Sequence, residues 1–233
     1  MLDRVERIDV RFSPYSRRNR MLPEEAKAVA EHQRRRFNEL VDVFDRPQPP
    51  EVMARLWEIV ASAELRPGAV VLDVGTGAGV LIPLIQFYQP STVWACDVAE
   101  KMLQRVHDKY PAVRTCHTDI ASLALASTSV DAIFMNGMYG NIADKSAACG
   151  NAARMLRSGG RLVVSHPEGR AFVNHLRTTS DLFIESLPTE KEFEALLKPL
   201  GLEVIAYRDE PKLYLMVARR SDAGGRCPDW FLG

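Results

Sequence analysis

The most constraining feature of the sequence is a glycine-rich segment at residues 69–82, which reads AVVLDVGTGAGVLI. An apolar run ends in Asp73, three glycines follow at alternate positions (Gly75, Gly77 and Gly79), and apolar residues then resume at helical spacing. This pattern predicts a buried strand, a tight turn and the start of a helix. Glycines lack a Cβ atom, so a ligand can approach their backbone closely, and a helix N-terminus offers unpaired N–H groups. The segment therefore predicts a ligand-binding turn.

The spacing of the glycines argues against two common nucleotide sites. A dinucleotide-binding Gly-x-Gly-x-x-Gly motif would need its third glycine at position 80 or 82, where Val80 and Ile82 stand. A phosphate-binding Gly-x-x-x-x-Gly-Lys-Ser/Thr motif would need a lysine after the glycines, and none follows. A glycine-rich turn without a ligand is the structural alternative.

The complete pattern, Asp-x-Gly-x-Gly-x-Gly at the end of a first strand, resembles motif I of the class I S-adenosylmethionine-dependent methyltransferases. The resemblance implies that the chain binds S-adenosyl-L-methionine and releases S-adenosyl-L-homocysteine. The cofactor-binding residues that it implies in this segment are Asp73, Gly75, Thr76, Gly77 and Gly79.

Composition limits the remaining choices. The chain has 233 residues, which fits one α/β domain with an N-terminal extension, and its formal net charge is zero. Zero net charge argues against an extended nucleic-acid surface, although arginines cluster at 17–20 and 34–36. The four cysteines are scattered, no stretch approaches roughly 18 apolar residues, and the N-terminus lacks an apolar signal core. We therefore expect a cytoplasmic protein with no membrane partner.

Strand and helix patterns alternate from residue 69 onwards, which is typical of a parallel sheet with crossover helices. The strands are predicted at residues 69–75, 92–97, 113–118, 130–136, 161–165, 203–208 and 213–218. The short connection at 209–212 predicts a closing antiparallel hairpin. We predict an α/β fold, a Rossmann-like doubly wound seven-stranded sheet, mostly parallel, with helices on both faces. Three regions are expected: an arm and lid helix (1–48), the methyltransferase domain (49–219) and a tail (220–233).

Three helix features are specific enough to test. Residues Phe37, Leu40, Val41 and Phe44 form one amphipathic helical stripe, which we expect to belong to a single helix. Pro83 is tolerated only in a first turn, so the helix after the glycines should begin near Gly79. A third helix has its capping box at residues 189–192.

Polar residues end the next predicted strands, at the edge where ligands of such sheets bind. Asp97 ends the second strand and can accept hydrogen bonds from both hydroxyls of a ribose; alternatively it caps the following helix. Asp119 and the backbone N–H of Ile120 follow the third strand and can contact adenine, although Asp119 is alternatively an ordinary loop residue. The other expected cofactor contacts are Val98, Met102 and Asn136.

Further stretches resemble the same family, at residues 129–134 before the fourth strand and 156–164 around the fifth. In all, the resemblance covers residues 50–218. Residues 37–45 and 140–144 are similar to the small-molecule, type 11-like branch that includes the quinone-biosynthesis methyltransferases. The Asn-Pro-Pro-Tyr motif, the metal-ligand set of catechol-type enzymes and the cysteine triad of arsenite-methylating enzymes are not recognisable, so no metal is expected.

The candidate catalytic and acceptor-binding residues are expected at the same edge of the sheet. His166, at the end of the fifth strand, is the expected general base, and Tyr139 is a comparable polar candidate; His166 could equally be structural. Arg170 could pair with an anionic acceptor or lie on a helix surface. Tyr15 and Phe37 belong to the segment expected to cover the acceptor, or to pack only on the helices.

Three functions are compatible with these residues. The first is an S-adenosylmethionine-dependent methyltransferase that modifies an O, N, S or C nucleophile of a small molecule, as a monomer or homodimer. The second is a protein or RNA methyltransferase that docks through its basic N-terminal arm. The third is another nucleotide-binding protein, such as a dehydrogenase.

Overall fold

The computed structural model describes residues 23–221, with side chains described from residue 28. The helices of this range are α1 (Pro23–Glu39), α2 (Val41–Phe44), α3 (Pro50–Ala61), α4 (Ile82–Gln86), α5 (Glu100–Lys109), α6 (Lys145–Met155), α7 (Gly169–Thr179) and α8 (Glu190–Leu197). The strands are β1 (Val70–Val74), β2 (Thr92–Asp97), β3 (Arg114–His117), β4 (Val130–Asn136), β5 (Leu156–His166), β6 (Leu202–Glu210) and β7 (Leu213–Arg220). The predicted arm and nearly all of the predicted tail lie outside the described residues.

The strands form one seven-stranded sheet in the order β3-β2-β1-β4-β5-β7-β6. Neighbouring strands from β3 to β5 are parallel, and β7 runs antiparallel to both β5 and β6. The prediction of a mostly parallel Rossmann-like sheet with an antiparallel C-terminal hairpin is therefore confirmed. The predicted bounds of β2 and β4 are also confirmed, as is the capping box before α8.

Alternating residues of the central strands feed two hydrophobic cores, one on each face of the sheet. Val71 of β1 belongs to the core beneath α3, α4 and α5, whereas Leu72 belongs to the core beneath α6 and α8. Successive side chains of a strand point to opposite faces, so both faces of β1 are buried. The order of strands reverses between β1 and β4, and the crevice outside their carboxyl ends is where such sheets bind ligands.

The single helix predicted for the N-terminal stripe is wrong, because the chain bends at Leu40 (φ −94°, ψ 6°) between α1 and α2. Asp42 and Asp45 then bind Arg105, which holds α2 against α5. Most of the stripe packs inwards, but Phe44 at its end is 45% exposed.

The helix after the glycines begins at Ile82 rather than near Gly79. Gly75, Gly77 and Gly79 have φ values of +61°, +53° and +87°, which a right-handed helix cannot contain. The segment instead forms turns until Ile82, and Pro83 lies in the first turn of α4, as predicted.

Strand β5 is longer than predicted and begins at Leu156. Its pairing with β4 shifts register between Val130 and Ala132, so residues 158–160, predicted as a turn, lie within the strand. Arg157 fixes this start by binding both carboxylate oxygens of Asp131, at 2.9 and 2.8 Å.

Candidate functional site

The glycine turn leaves one of its three glycines open to the crevice. A Cβ atom at Gly75 would lie 2.7 Å from Cγ of Met138, and one at Gly79 would lie 2.8 Å from Cδ1 of Ile82. A Cβ atom at Gly77 would meet nothing within 4 Å. The outer glycines are therefore required by packing, whereas the backbone at Gly77 is bare towards open space, where a ligand can lie against it.

Asp97 is the polar group placed beside that open space. Its carboxylate is 8% exposed and accepts hydrogen bonds from the backbone N–H groups of Gly77 and Ala99, each at 2.9 Å. A carboxylate has about four lone-pair positions, so the backbone N–H groups leave room for a hydroxyl donor. Burial raises the pKa of Asp97, and hydrogen bonds from the N–H groups of Ala99, Gly77 and Val98 oppose that rise. Ala99, not Asp97, is the N-cap of α5, so the capping alternative does not account for Asp97.

Asp73 organises the turn from beneath. It is buried, and the hydroxyl of Thr76 donates to its Oδ2 at 2.7 Å. Burial raises the pKa of Asp73 to about 7; the Thr76 hydrogen bond opposes this rise, and the charge of Asp97 adds to it. The hydrogen bond between Thr76 and Asp73 engages both side chains, so it stabilises the conformation of the turn.

The loop after β3 places Asp119 and Ile120 next to the end of β2. The N–H of Thr118 donates to the carbonyl of Asp97 at 3.1 Å. Asp119 is exposed and accepts from the N–H and the hydroxyl of Ser122, at 2.9 and 3.2 Å. The carboxylate stabilises its own turn and remains accessible, so the adenine contact stays a prediction.

One wall of this region is apolar. Met102 and Ala99 pack with Val41 and Phe37, so Phe37 of α1 lies against the first turn of α5. Val98, between Asp97 and Ala99, accepts a hydrogen bond from Nε2 of His117 at 2.9 Å. We call the ends of β1–β3, the glycine turn and the start of α5 the cofactor half of the crevice.

The acceptor half is formed by the ends of β4 and β5, by α7 and by residues 180–187. Asn136 ends β4, and its Oδ1 accepts a hydrogen bond from the hydroxyl of Ser165 at 2.9 Å, which leaves the amide nitrogen to donate. A cavity of about 20 Å³ adjoins Ser165, with walls formed by Met138, Val173, Leu176, Ile184 and Leu187. Such a volume holds little more than a water molecule, so an organic acceptor enters only if a wall moves.

Helix α1 connects the two halves. On the cofactor half, Asn38 accepts from the N–H of Lys101 and donates to Glu100, both at 2.9 Å. On the acceptor half, Gln33 donates to the carbonyl of Phe183 at 2.7 Å. Helix α1 thus contacts elements of both halves, and its role as a lid stays a prediction beside the alternative of simple helix packing.

Sequence reasoning missed Gln33 and Asn38. Gln33 stands four residues before Phe37, on the same helix face, and that spacing is the signal that could have identified it. Tyr15, predicted as a substrate contact, lies outside the described residues.

His166 ends β5 and is one of the residues that line the cavity. However, its Nδ1 accepts a hydrogen bond from the N–H of Glu168 at 3.2 Å, and burial lowers its pKa to about 4. A ring nitrogen that accepts from a backbone N–H is unprotonated, so the other nitrogen carries the proton and is not free to act as a base. This geometry disfavours the predicted role as a general base.

Tyr139 and Arg170 have contacts that differ from those predicted. Tyr139 is fully buried and packs against Phe193, with its hydroxyl 3.8 Å from the sulfur of Cys149. Arg170 binds Asp209, the hydroxyl of Tyr207 and the carbonyls of residues 187 and 188. Both side chains are engaged in contacts within the protein. These contacts argue against Tyr139 as a catalytic hydroxyl and against Arg170 as a cation that binds the acceptor.

No three His, Cys, Asp or Glu side chains between residues 23 and 221 cluster as metal ligands would. Within the same range, every helix is too short or too polar to cross a membrane.

Residues 72–164 match the methyltransferase domain family. The ubiquinone/menaquinone biosynthesis C-methyltransferase UbiE of Ralstonia nicotianae is 29% identical over 120 residues, which are 48% of this chain and 49% of that protein. The chain spans between a third and a half of the length of the first curated relatives that it matches.

Solved structures share the fold. A Burkholderia thailandensis 1,6-didemethyltoxoflavin-N1-methyltransferase, solved with its substrate and S-adenosylhomocysteine, superposes with a TM-score of 0.65 at 19% identity, covering 90% of this chain and 93% of that one. An S-adenosylmethionine-dependent methyltransferase of Aquifex aeolicus gives a TM-score of 0.64 at 20% identity, covering 78% and 98%. The matched domain and the shared fold support the class I S-adenosylmethionine-dependent methyltransferase superfamily.

Proposed function

We propose that the chain transfers a methyl group from S-adenosylmethionine to an O, N, S or C nucleophile of a small molecule. The observation that carries this proposal is the position of the Asp97 carboxylate, held by Gly77 beside backbone that no side chain covers. An acceptor-only group next to bare backbone suits a ribose whose adenosyl unit lies along the turn. The matched family supports the same conclusion.

The residues present fit this cofactor. Gly77 and Asp97 would hold the ribose side, Met102 and Ile120 would supply apolar walls, and Asp119 would accept from the adenine amine. When bound, S-adenosylmethionine would supply a sulfonium methyl group, whose carbon the acceptor's nucleophile bonds to in line while the sulfur leaves as the thioether of S-adenosylhomocysteine. The chain contributes alignment of the acceptor and exclusion of water, which suits a helix that crosses the crevice.

A small acceptor fits the acceptor half better than a polymer does. The cavity is lined mainly by apolar side chains, and Gln33 and Asn38 attach α1 to elements of both halves. The nearest cations are committed, since Arg170 binds Asp209 and Lys145 binds Glu185. The Burkholderia thailandensis relative binds a small molecule of this kind, 1,6-didemethyltoxoflavin.

We propose a cytoplasmic protein, a monomer or homodimer, with neither nucleic acid nor membrane as partner. The zero net charge supports this view. The three described cysteines (Cys96, Cys116 and Cys149) are free thiols, as a reducing compartment favours.

A screen with radiolabelled methyl donor against phenol, thiol, amine and carboxylate acceptors tests the proposal. We expect label in one acceptor class, and loss of transfer in the Asp97→Ala variant. Calorimetry of S-adenosylhomocysteine against NAD separates a methyltransferase from a dehydrogenase. Salt-sensitive labelling of RNA, or labelling of protein, would instead favour the macromolecular alternative.

A further inference from the structure

His166 is oriented by its own chain in a way that fixes which ring nitrogen carries the proton. The backbone N–H of Glu168 donates to Nδ1 of His166 at 3.2 Å. A backbone N–H is only a donor, so Nδ1 must present a lone pair. In a neutral imidazole the proton then resides on Nε2, which makes Nε2 a hydrogen-bond donor.

The surroundings keep this imidazole neutral. Its ring packs against Phe172, with centroids 5.4 Å apart, and Tyr214 lies opposite it on β7. The charged groups beside it are Arg55 and Glu168, which pair with each other at 3.1 Å, and Arg55 also binds the carbonyl of residue 167. A positive charge on the ring would lie near that of Arg55, and the repulsion between like charges disfavours protonation of the ring.

The cavity of the acceptor half is lined mainly by apolar side chains. The cavity walls include Val173, Leu176 and Leu187, and His166 lies at their edge. Arg170, the nearby cation on α7, is turned to Asp209 and Tyr207. His166 is one of the residues that line this cavity, and a neutral imidazole there presents an N–H donor without a charge.

Resting on the proposed function, we propose that His166 is a substrate-binding donor: its Nε2–H binds an uncharged carbonyl oxygen of an otherwise apolar methyl acceptor. The hydrogen bond orients the acceptor and, where the nucleophile is conjugated to the carbonyl, stabilises the charge that spreads onto that oxygen. No proton moves to or from His166 during the transfer. The acceptor class is thus an apolar molecule in which a carbonyl neighbours or is conjugated to the nucleophile.

The tautomer is tested first, on the full chain, by long-range proton–nitrogen NMR of the histidine rings, with His166→Phe assigning the signal. We expect His166 to show the Nε2–H tautomer unchanged between pH 5 and pH 8. The Nδ1–H tautomer, or titration inside that range, would overturn the proposal. Calorimetry with S-adenosylhomocysteine on the same sample reports separately on the proposed function, because cofactor binding does not depend on the tautomer.

The carbonyl preference is tested with two matched phenols, 4-hydroxyacetophenone and 4-ethylphenol, titrated into protein saturated with S-adenosylhomocysteine. We expect the ketone to bind at least fivefold more tightly, His166→Phe to remove that preference, and His166→Gln, which keeps an N–H donor but cannot act as a base, to retain part of it. Equal binding of the two phenols to the unmodified protein would overturn the proposal. So would a preference that survives in His166→Phe.

Discussion

The cofactor half and the acceptor half of the crevice differ in the chemical groups that form them. The cofactor half lies within a few residues of the strand ends. It consists of backbone N–H groups, the uncovered backbone at Gly77 and two buried carboxylates, Asp73 and Asp97. In the acceptor half, side chains from β4, α7 and residues 180–187 close a small apolar cavity. The first half is a fixed cradle, whereas the second is a packed region that must open to admit a ligand.

This difference suits the two halves to different chemical tasks. A cradle of backbone groups cannot vary much with side-chain identity, so it suits a constant ligand such as a cofactor. An apolar cavity changes shape with every substitution in its walls, so it suits a variable acceptor. Mutations in the first half should therefore act on cofactor affinity, and mutations in the second on the acceptor.

The largest effect is expected at Asp97. Replacing it with alanine removes two charge-assisted hydrogen bonds to the ribose, so cofactor binding should weaken by roughly 2–4 kcal/mol. Isothermal titration calorimetry with S-adenosylhomocysteine measures the change. Asp144→Ala is the matched control, because Asp144 also accepts a backbone N–H, from Ala147 at 2.9 Å, but caps α6 instead. An unchanged affinity in Asp97→Ala would remove the ribose assignment.

Gly77→Ala is expected to weaken cofactor binding by about 2 kcal/mol, because its methyl group would project where the ligand approaches the backbone. Gly68→Ala is the control, since Gly68 also has a positive φ and open space around its Cβ position. Chemical denaturation should show similar losses of stability in both, of about 1 kcal/mol. Equal cofactor affinity in the two variants would show that the space over Gly77 is not a ligand site.

Asp73→Asn tests the buried carboxylate under the turn. The pKa of Asp73 in the fold is raised to about 7, above its unfolded value, so its favourable contribution is present below about pH 4 and is lost as the pH rises through 7. Asparagine does not titrate and keeps an acceptor for Thr76. The variant should therefore gain about 3 kcal/mol of unfolding free energy relative to the parent between pH 4.5 and pH 8. Parallel urea denaturation at the two pH values measures this, and identical pH dependence would contradict it.

The smallest effect concerns the lid. Gln33→Ala removes one hydrogen bond to the carbonyl of Phe183, so opening of α1 should become easier by about 1 kcal/mol. Hydrogen exchange of the α1 amides measures the opening, and Gln104→Ala, which removes an exposed amide on α5, serves as control. If exchange in α1 is the same in both variants, α1 is not held by the acceptor half.

The same contrast explains how far the sequence could be interpreted. The glycine turn, Asp97 and the hairpin are local patterns, and the sequence predicts them because each depends on residues close together in the chain. The bend at Leu40 is accompanied by ion pairs from Asp42 and Asp45 to Arg105, about 60 positions away. Such long-range pairs cannot be predicted from a local sequence pattern.

The tautomer of His166 and the ion pair of Arg170 could not be predicted from the sequence either. The first depends on the turn that brings the N–H of Glu168 back to the ring, and the second on Asp209, 39 positions further along the chain. Residue types at 166 and 170 suggested a base and a cation, but only the packed structure shows where their polar atoms are engaged.

The most direct test of the central claim compares S-adenosylhomocysteine with its 2′,3′-dideoxy analogue, by calorimetry on the parent chain and on Asp97→Ala. If Asp97 binds the ribose hydroxyls, the parent should prefer the natural ligand at least tenfold, and the variant should bind both ligands equally. An equal affinity of the parent for the two ligands, or a preference that persists without the Asp97 carboxylate, would contradict the account.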